Sequence, residues 1–267
     1  MRDDTALLHR LLPEVREVAR EAGDLALRYF RPGLATSAQI WSKAGGSPVT
    51  EADLAVDSFL KERLGGLLPD AAWLSEETAD DHSRLGRDLV WIVDPIDGTR
   101  AYLSGSRDWS IAIALLRTER PVLGIVHAPA HDTLFEAIAG SGARRDGAPI
   151  SVSATVQLGS CSVAGPVFML DRLARTHPDT RRPPRVPSLA LRIARVAEGA
   201  VDAGLISGNA RDWDIAAADL VLAEAGGSLA GLDGAAPRYN QPDPCHGELI
   251  AAPAALQSGL ARAIRTG

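Results

Sequence analysis

The chain has 267 residues, 46% of them hydrophobic, enough for a substantial core in one large domain or two closely joined ones. Its formal net charge of −6 argues against a nucleic-acid polymer as partner, because such binders neutralise phosphates with lysine and arginine. Cys161 and Cys245 are too few for a disulfide framework or a zinc knuckle, which points to a reducing cytoplasm; no stretch approaches the roughly 20 apolar residues of a membrane span, so no membrane partner is expected.

Residues 5–30 carry Leu7, Leu8, Leu11, Val15, Val18, Ala22, Leu25, Ala26 and Phe30 at helical spacing, and Pro32-Gly33 predicts where that helix stops. A loop through "SKAGGSPV" leads into "TEADLAVDSFLKERLGG", where Thr50 is placed to cap a second helix and Asp53 to complete a capping box. "AAWLSEE" reads as a short strand ending in acid and "DLVWIVD" as a buried strand. The runs "DWSIAIALLR", "RPVLGIVHAPA" and "DTLFEAIAG" predict an antiparallel meander, making the first half α+β. "GSGARR", residues 140–145, begins like a dinucleotide fingerprint but has Arg145 in place of the third glycine, and reads as a turn.

A boundary is expected near residue 150, dividing an N-terminal α+β domain, 1–150, from a C-terminal α/β domain, 151–267. The Arg- and Pro-rich residues 171–187 read as a connection or lid and not as a core element. Beyond them "SLALRIARVAEGAVDAGLI" predicts a helix feeding a strand, "WDIAAADLVLAEAGG" a helix stopped at Gly226-Gly227, and "GELIAAPAALQSGLARAI" a strand and a closing helix.

In "LVWIVDPIDGT" an apolar strand runs straight into Asp94 and Asp97, with Pro95 expected to end the strand and the Ile96 carbonyl left between the acids. Two carboxylates at a buried strand end are costly unless something neutralises them. Mg²⁺, a hard cation that prefers oxygen ligands, meets that need. Gly98 leaves room for a phosphate near the backbone amides, and Thr99 supplies a hydroxyl. Each motif also has a plain structural reading. Asp-Pro and Asp-Gly are common turns, Glu76-Glu77 fits a solvated strand end, and Asp212 and Asp214 around Trp213 suit a helix N-terminus. The 6 histidines show no H-E-x-x-H or similar spacing, and neither a G-x-S-x-G elbow nor a G-x-x-x-x-G-K-[ST] loop is present.

Together "PVTEAD", "WLSEE", "WIVDPIDGT" and "DWDIAAADLVLAEAGG", in this order and spacing over nearly the whole chain, resemble the inositol monophosphatase family of metal-dependent phosphatases. The resemblance implies a layered α-β-α-β-α sandwich of the inositol monophosphatase and fructose-1,6-bisphosphatase type. It implies two or three Mg²⁺ ions, the first held by Glu76, Asp94 and the Ile96 carbonyl and the second by Asp94, Asp97 and Asp214. Glu77 would sit beside a further, weaker metal site or its water. Asp53 and Thr99 would orient and deprotonate an attacking water, and the amides of Gly98 and Thr99 would receive the phosphate. A small phosphorylated metabolite as substrate, inhibition by lithium and a homodimer are expected on the same ground.

For the substrate, the resemblance leans toward the bacterial 3'(2'),5'-bisphosphate nucleotidase branch. Arg100 stands where inositol-specific members carry a small polar residue and nucleotidases a base, and "SGNARDWD" offers Gly208, Asn209 and Arg211 as substrate contacts. The acid expected to touch inositol hydroxyls has no obvious counterpart apart from Glu198. The expectation is therefore hydrolysis of 3'-phosphoadenosine 5'-phosphate. An inositol-1-monophosphatase or broad sugar-phosphate phosphatase is the alternative, and a catalytically inactive metabolite-binding protein a remote one. Arg172, Arg175, Arg181, Arg182 and Arg185 could meet a second phosphate, although exposed arginine is the norm.

Overall fold

The computed structural model describes residues 2–42, 48–155 and 157–266. Helix α1 (Arg2–Leu27) turns the 3.6-residue apolar spacing into a buried stripe of Val15, Val18, Ala19, Ala22 and Ala26. It stops at Leu27, before Pro32-Gly33, yet Phe30 stays buried because its ring packs against Tyr102 and Trp109. Strands β1 (Ile40–Ser42) and β2 (Pro48–Thr50) pair antiparallel on either side of the expected loop, whose residues 43–47 lie outside the described residues. Thr50 then starts α2 (Glu51–Leu67).

The first sheet has seven strands in chain order: β3 (Ala72–Ser75), β4 (Leu89–Asp97), β5 (Ser110–Arg117), β6 (Arg120–Ala128), β7 (Thr133–Ile138), β8 (Ala143–Arg145) and β9 (Ala148–Pro149). A short helix, α3 (Thr99–Leu103), follows β4. The meander is antiparallel from β4 onward, as expected for its three later runs, and β3 runs parallel to β4. "GSGARR" is half turn and half strand, with Gly140 and Gly142 at positive φ and β8 following.

The second sheet has the order β10-β11-β15-β13, from β10 (Val163–Ala164), β11 (Ala203–Ile206), β13 (Gly227–Gly231) and β15 (Leu249–Pro253). A ribbon of β12 (Ala210–Arg211) and β14 (Cys245–His246) stands apart. The helices here are α4 (Val167–Thr176), α5 (Leu189–Ala197), α6 (Asp212–Glu224) and α7 (Ala254–Thr266). Helix α4 corrects the reading of residues 171–187: its first part belongs to a core helix that buries Met169, Leu170 and Leu173, and only the chain after Thr176 is a connection.

Three cores define the layers. Trp91 and Val93 of β4 face α1 and α2, whereas Val90 and Ile92, the alternate residues, face α5 and α6. Helices α5 and α6 are covered on their other side by Leu229, Leu249 and Ala251 of the second sheet, and that sheet's far face packs on α4 and α7 through Leu205, Ile250 and Leu260. The result is the α-β-α-β-α sandwich expected from the resemblance. No described helix is long and apolar enough to cross a membrane.

Candidate active site

The acids of "DPIDGT" stand where β4 outruns its neighbour. Pairing with β3 ends at Ser75 opposite Val93, and pairing with β5 passes from Asp94–Ala112 to Asp97–Ser110, so β4 uses one residue more than β5. This bulge contains Pro95, and the strand continues through it to Asp97 instead of stopping. Proline has no N–H to donate, but beyond Val93 there is no β3 partner to miss it. The Ile96 amide donates to Asp94 Oδ1 at 3.0 Å, which closes the local turn.

Asp94, Asp97 and Asp214 each bring one oxygen within 4.8 Å of the others. Burial and then the charges of Glu76, Asp97, Asp214 and Asp53 hold the Asp94 carboxyl well above the usual range. Burial also raises Asp97, against the pull of Ser188, Leu189 and Ala190. Asp214, partly open to solvent at its edge, is pushed up to about 8 by burial and by Asp97. These acids resist ionisation together and their only donor atoms are oxygens, so the cluster fits a hard divalent cation.

Helix ends organise the cluster. Asp53 Oδ2 accepts from the Thr50 amide at 2.8 Å and the Thr50 hydroxyl at 2.5 Å, completing the capping box, while its Oδ1 lies 3.4 Å from Thr99 Oγ1. One carboxylate thus caps α2 and faces the loop. Asp214 does the same for α6: its Oδ2 accepts from the Arg211 amide at 2.6 Å. Its neighbour Asp212 is fully buried and structural, bound to His246 Nε2 at 2.7 Å and to the Asn240 amide at 2.8 Å.

Asp97 caps a helix far away in sequence. Leu189 N–H donates to its Oδ1 at 3.0 Å, Ala190 N–H to its Oδ2 at 2.7 Å, and the Ser188 hydroxyl also donates to Oδ2. Ser188 in turn caps α5 by accepting from Leu191 N–H at 3.1 Å. Sequence reading missed this contact, although a serine immediately before the periodic run "LALRIARVA" is a recognisable cap signal. Gly98 explains itself here as well. Its φ is +91°, and a Cβ would lie 3.2 Å from the Ser188 backbone. The bare position admits α5, not only a phosphate.

A second residue overlooked in the sequence is Asp57, one helical turn after Asp53. It is buried and accepts from Ser75 Oγ at 2.5 Å and Thr78 Oγ1 at 2.9 Å, so it brackets Glu76 and Glu77. Ser75 Oγ also accepts from the Glu77 amide at 3.3 Å. The signal that could have found Asp57 is its i+4 offset from Asp53 on the same helix face.

A cavity of about 390 Å³ opens beside Asp97 and Asp214, lined also by Ser207, Gly208, Asn209 and Arg192. Arg100 and Arg211 are not among its lining residues. Arg100 is exposed on α3, and the Arg211 side chain turns to Asp243 at 3.0 Å, beside a different cleft that Glu76 and Trp213 line. Thr99 Oγ1 lies 3.2 Å from the Ile96 carbonyl, so the hydroxyl stands between that oxygen and Asp53. Glu198 is elsewhere, paired with Arg145 at 2.5 Å.

The sequence profile of the inositol monophosphatase family matches residues 8–267. A 3'(2'),5'-bisphosphate nucleotidase CysQ of Aggregatibacter actinomycetemcomitans is 31% identical over 252 residues, covering 88% of this chain and 89% of that protein. A histidinol-phosphatase of Mycobacterium tuberculosis is 38% identical over 211 residues, covering 74% and 79%. Among solved structures, the extragenic suppressor protein suhB from Bartonella henselae superposes with a TM-score of 0.83 at 27% identity, covering 97% of this chain and 99% of that one. With this profile over the whole fold and the acidic cluster it encloses, the chain belongs to the inositol monophosphatase family and is a phosphoric monoester hydrolase.

Proposed function

We propose that the chain is an Mg²⁺-dependent 3'(2'),5'-bisphosphate nucleotidase that releases the 3'-phosphate of 3'-phosphoadenosine 5'-phosphate. The observation that carries this reading is the 390 Å³ cavity opening from Asp97 and Asp214, within the roughly 300–1,000 Å³ range of small-molecule sites. Among the described residues no carboxylate lines it beyond Asp97 and Asp214, and Glu198, the one sequence candidate for an acid that touches inositol hydroxyls, is paired with Arg145. Similarity to the CysQ nucleotidase over 88% of the chain supports the same choice.

Glu76, Asp94, Asp97, Asp214 and the Ile96 carbonyl would hold the ions, with Glu77 beside a weaker site. When bound, Mg²⁺ supplies a lowered pKa for water, charge neutralisation of the phosphate and stabilisation of the leaving alkoxide. The chain's own part is orientation and proton transfer. Thr99 Oγ1 takes a proton from the attacking water and passes its own to Asp53 Oδ1, 3.4 Å away. The water oxygen forms the new P–O bond, the ester P–O bond breaks, and the leaving oxygen collects a proton from solvent. Asp53 can do this because its other oxygen is fixed by Thr50, so the carboxylate cannot rotate away. The amides of Gly98 and Thr99, at the start of α3, would receive the phosphate. Gly208 and Asn209 line the wall that the leaving group would meet.

The test is phosphate release from 3'-phosphoadenosine 5'-phosphate, inositol 1-phosphate and histidinol phosphate side by side, with Mg²⁺, with chelator, and with Asp94→Asn. A higher kcat/KM for the nucleotide, lost with chelator and in the variant, is expected. A higher value for either other ester overturns the nucleotide assignment and leaves the phosphatase intact.

A further inference from the structure

The arginines of the connection between α4 and α5 do not share one fate. Arg172 pairs with Glu248 at 3.2 Å and lies over the Phe168 ring. Arg181 donates to the Ser160 carbonyl at 3.3 Å and stands 4.0 Å from Asp202. Arg182 pairs with Asp171 at 2.7 Å and donates to the Leu170 carbonyl at 3.0 Å. Arg175 is also engaged. Arg185 is exposed, has no hydrogen bond or ion pair to any described residue, and lines the cavity that contains Asp97 and Asp214.

Its position is built, not incidental. Pro183, Pro184 and Pro187 restrict the backbone on both sides of it. The intervening Val186 is buried, and its carbonyl accepts two hydrogen bonds from the Arg192 guanidinium, at 3.1 and 2.8 Å, while a third goes from Arg192 to the Leu205 carbonyl at 3.2 Å. Arg192 is therefore locked beneath the segment that presents Arg185. The two cations are near enough to repel each other, and among the described residues no carboxylate of the cavity other than Asp97 and Asp214 offsets them. Asp97 and Asp214 make part of the cavity lining acidic and suit metal and the scissile phosphate. Arg185 adds to the same lining a planar guanidinium fork without a partner among the described residues, the chemistry that recognises a second phosphate.

We infer that Arg185 is the specificity-determining contact for a second phosphate on the substrate, so that the enzyme selects bisphosphates over monoesters with neutral or cationic leaving groups. The inference rests on the proposed function for the place of the scissile phosphate, at Asp97 and Asp214, and adds the group that reads the rest of the substrate. Because Arg185 meets the substrate away from the reacting bond, its loss acts mainly through KM.

Two matched substrate pairs test it: adenosine 3',5'-bisphosphate against adenosine 3'-monophosphate, and fructose 1,6-bisphosphate against fructose 1-phosphate. We expect the wild type to prefer the nucleotide bisphosphate by about 10- to 100-fold in kcat/KM, the size of a charge-assisted contact. In Arg185→Ala that ratio falls toward one through KM, Arg185→Lys restores part of it, and Arg185→Glu drives it below one. If the wild type shows the preference and Arg185→Ala keeps it, the Arg185 contact is refuted and the nucleotidase reading stands. If only the sugar pair shows a preference and Arg185→Ala abolishes it, the contact stands and the nucleotide reading falls. No preference in either pair refutes the contact.

Discussion

A carboxylate cluster assembled for metal should destabilise the protein that lacks metal, and the sign and size of the effect follow from Asp214. Its folded-state pKa of about 8 lies above the ordinary carboxyl value of 3.8, so between these values the folded metal-free protein binds more protons than the unfolded chain. Stability of the chelated protein is therefore greatest at low pH, within the range where the rest of the fold survives, and is lost as pH rises through about 8. Converted directly, that difference is about 5–6 kcal/mol, an upper bound. Water reaching the partly exposed edge of Asp214 screens it, and we expect about 1–3 kcal/mol in practice.

Asp214→Asn removes the charge but keeps an oxygen able to accept from the Arg211 amide, so the helix cap survives. Urea denaturation in chelator at pH 6, 7.5 and 9 should show the wild type weakening with pH while the variant, which keeps Asp94 and Asp97, weakens less and is the more stable protein at pH 9. Adding Mg²⁺ reverses the order at pH 9, because the wild type gains binding energy from both ions and the variant only from the site that does not use Asp214. The variant should also release no phosphate. A wild type whose chelated stability does not change between pH 6 and 9, or an Asp214→Asn variant less stable than wild type in chelator at pH 9, refutes the reasoning that these acids are held together against their mutual repulsion.

Gly98→Ala should cost about 2–3 kcal/mol in denaturant midpoint and most of the activity, since it adds crowding against Ser188 to the penalty of positive φ; Gly147→Ala, at φ +81° with nothing within 4 Å, should cost only about 1–2 kcal/mol and leave phosphate release intact. Asp57→Ala should weaken Mg²⁺ binding about 10-fold by calorimetry through the released Glu76-Glu77 segment, with kcat at saturating metal changing less. Arg84, fully buried, pairs with Asp80 at 2.7 Å and donates to Asn240 Oδ1 at 2.7 Å; Arg84→Met should lower stability by about 3–5 kcal/mol in a thermal or urea melt.

The acids were legible in the sequence because each sits in a short motif whose neighbours explain it: Asp94 and Asp97 are three residues apart on one strand end, and Asp53 and Asp214 occupy the third position of their helices. In both helices the position that caps the backbone is also the one that turns an oxygen toward the cluster, so the capping reading and the functional reading describe one carboxylate. The layers were legible for a similar reason, since alternation along β4 and the 3.6-residue period of α1 encode which face is covered. Local rules failed where the partner is distant or the context is tertiary. Pro95 reads as a stop by any local rule, and only the end of β3 opposite Val93 makes it harmless. The arginine- and proline-rich composition of residues 171–187 hid α4, because the residues that bury it, Met169 and Leu170, precede that window and Leu173 stands alone inside it.

The contact between Asp97 and Ser188 spans 91 residues, and nothing near Asp97 announces it. That contact has the greatest consequence for the site. The capped end of α5 holds Asp97 in place, and the same Ser188 follows directly on the Val186–Pro187 segment that carries Arg185 to the cavity. The proposed metal ligand and the proposed substrate-reading cation are thereby tied to one helix terminus. Ser188→Ala should loosen both, weakening Mg²⁺ binding and the preference for a second phosphate together. Asp57→Ala, which acts on the opposite side of the cluster, should weaken only the metal. Equal effects of the two substitutions on the bisphosphate preference would show that α5 is not the common anchor.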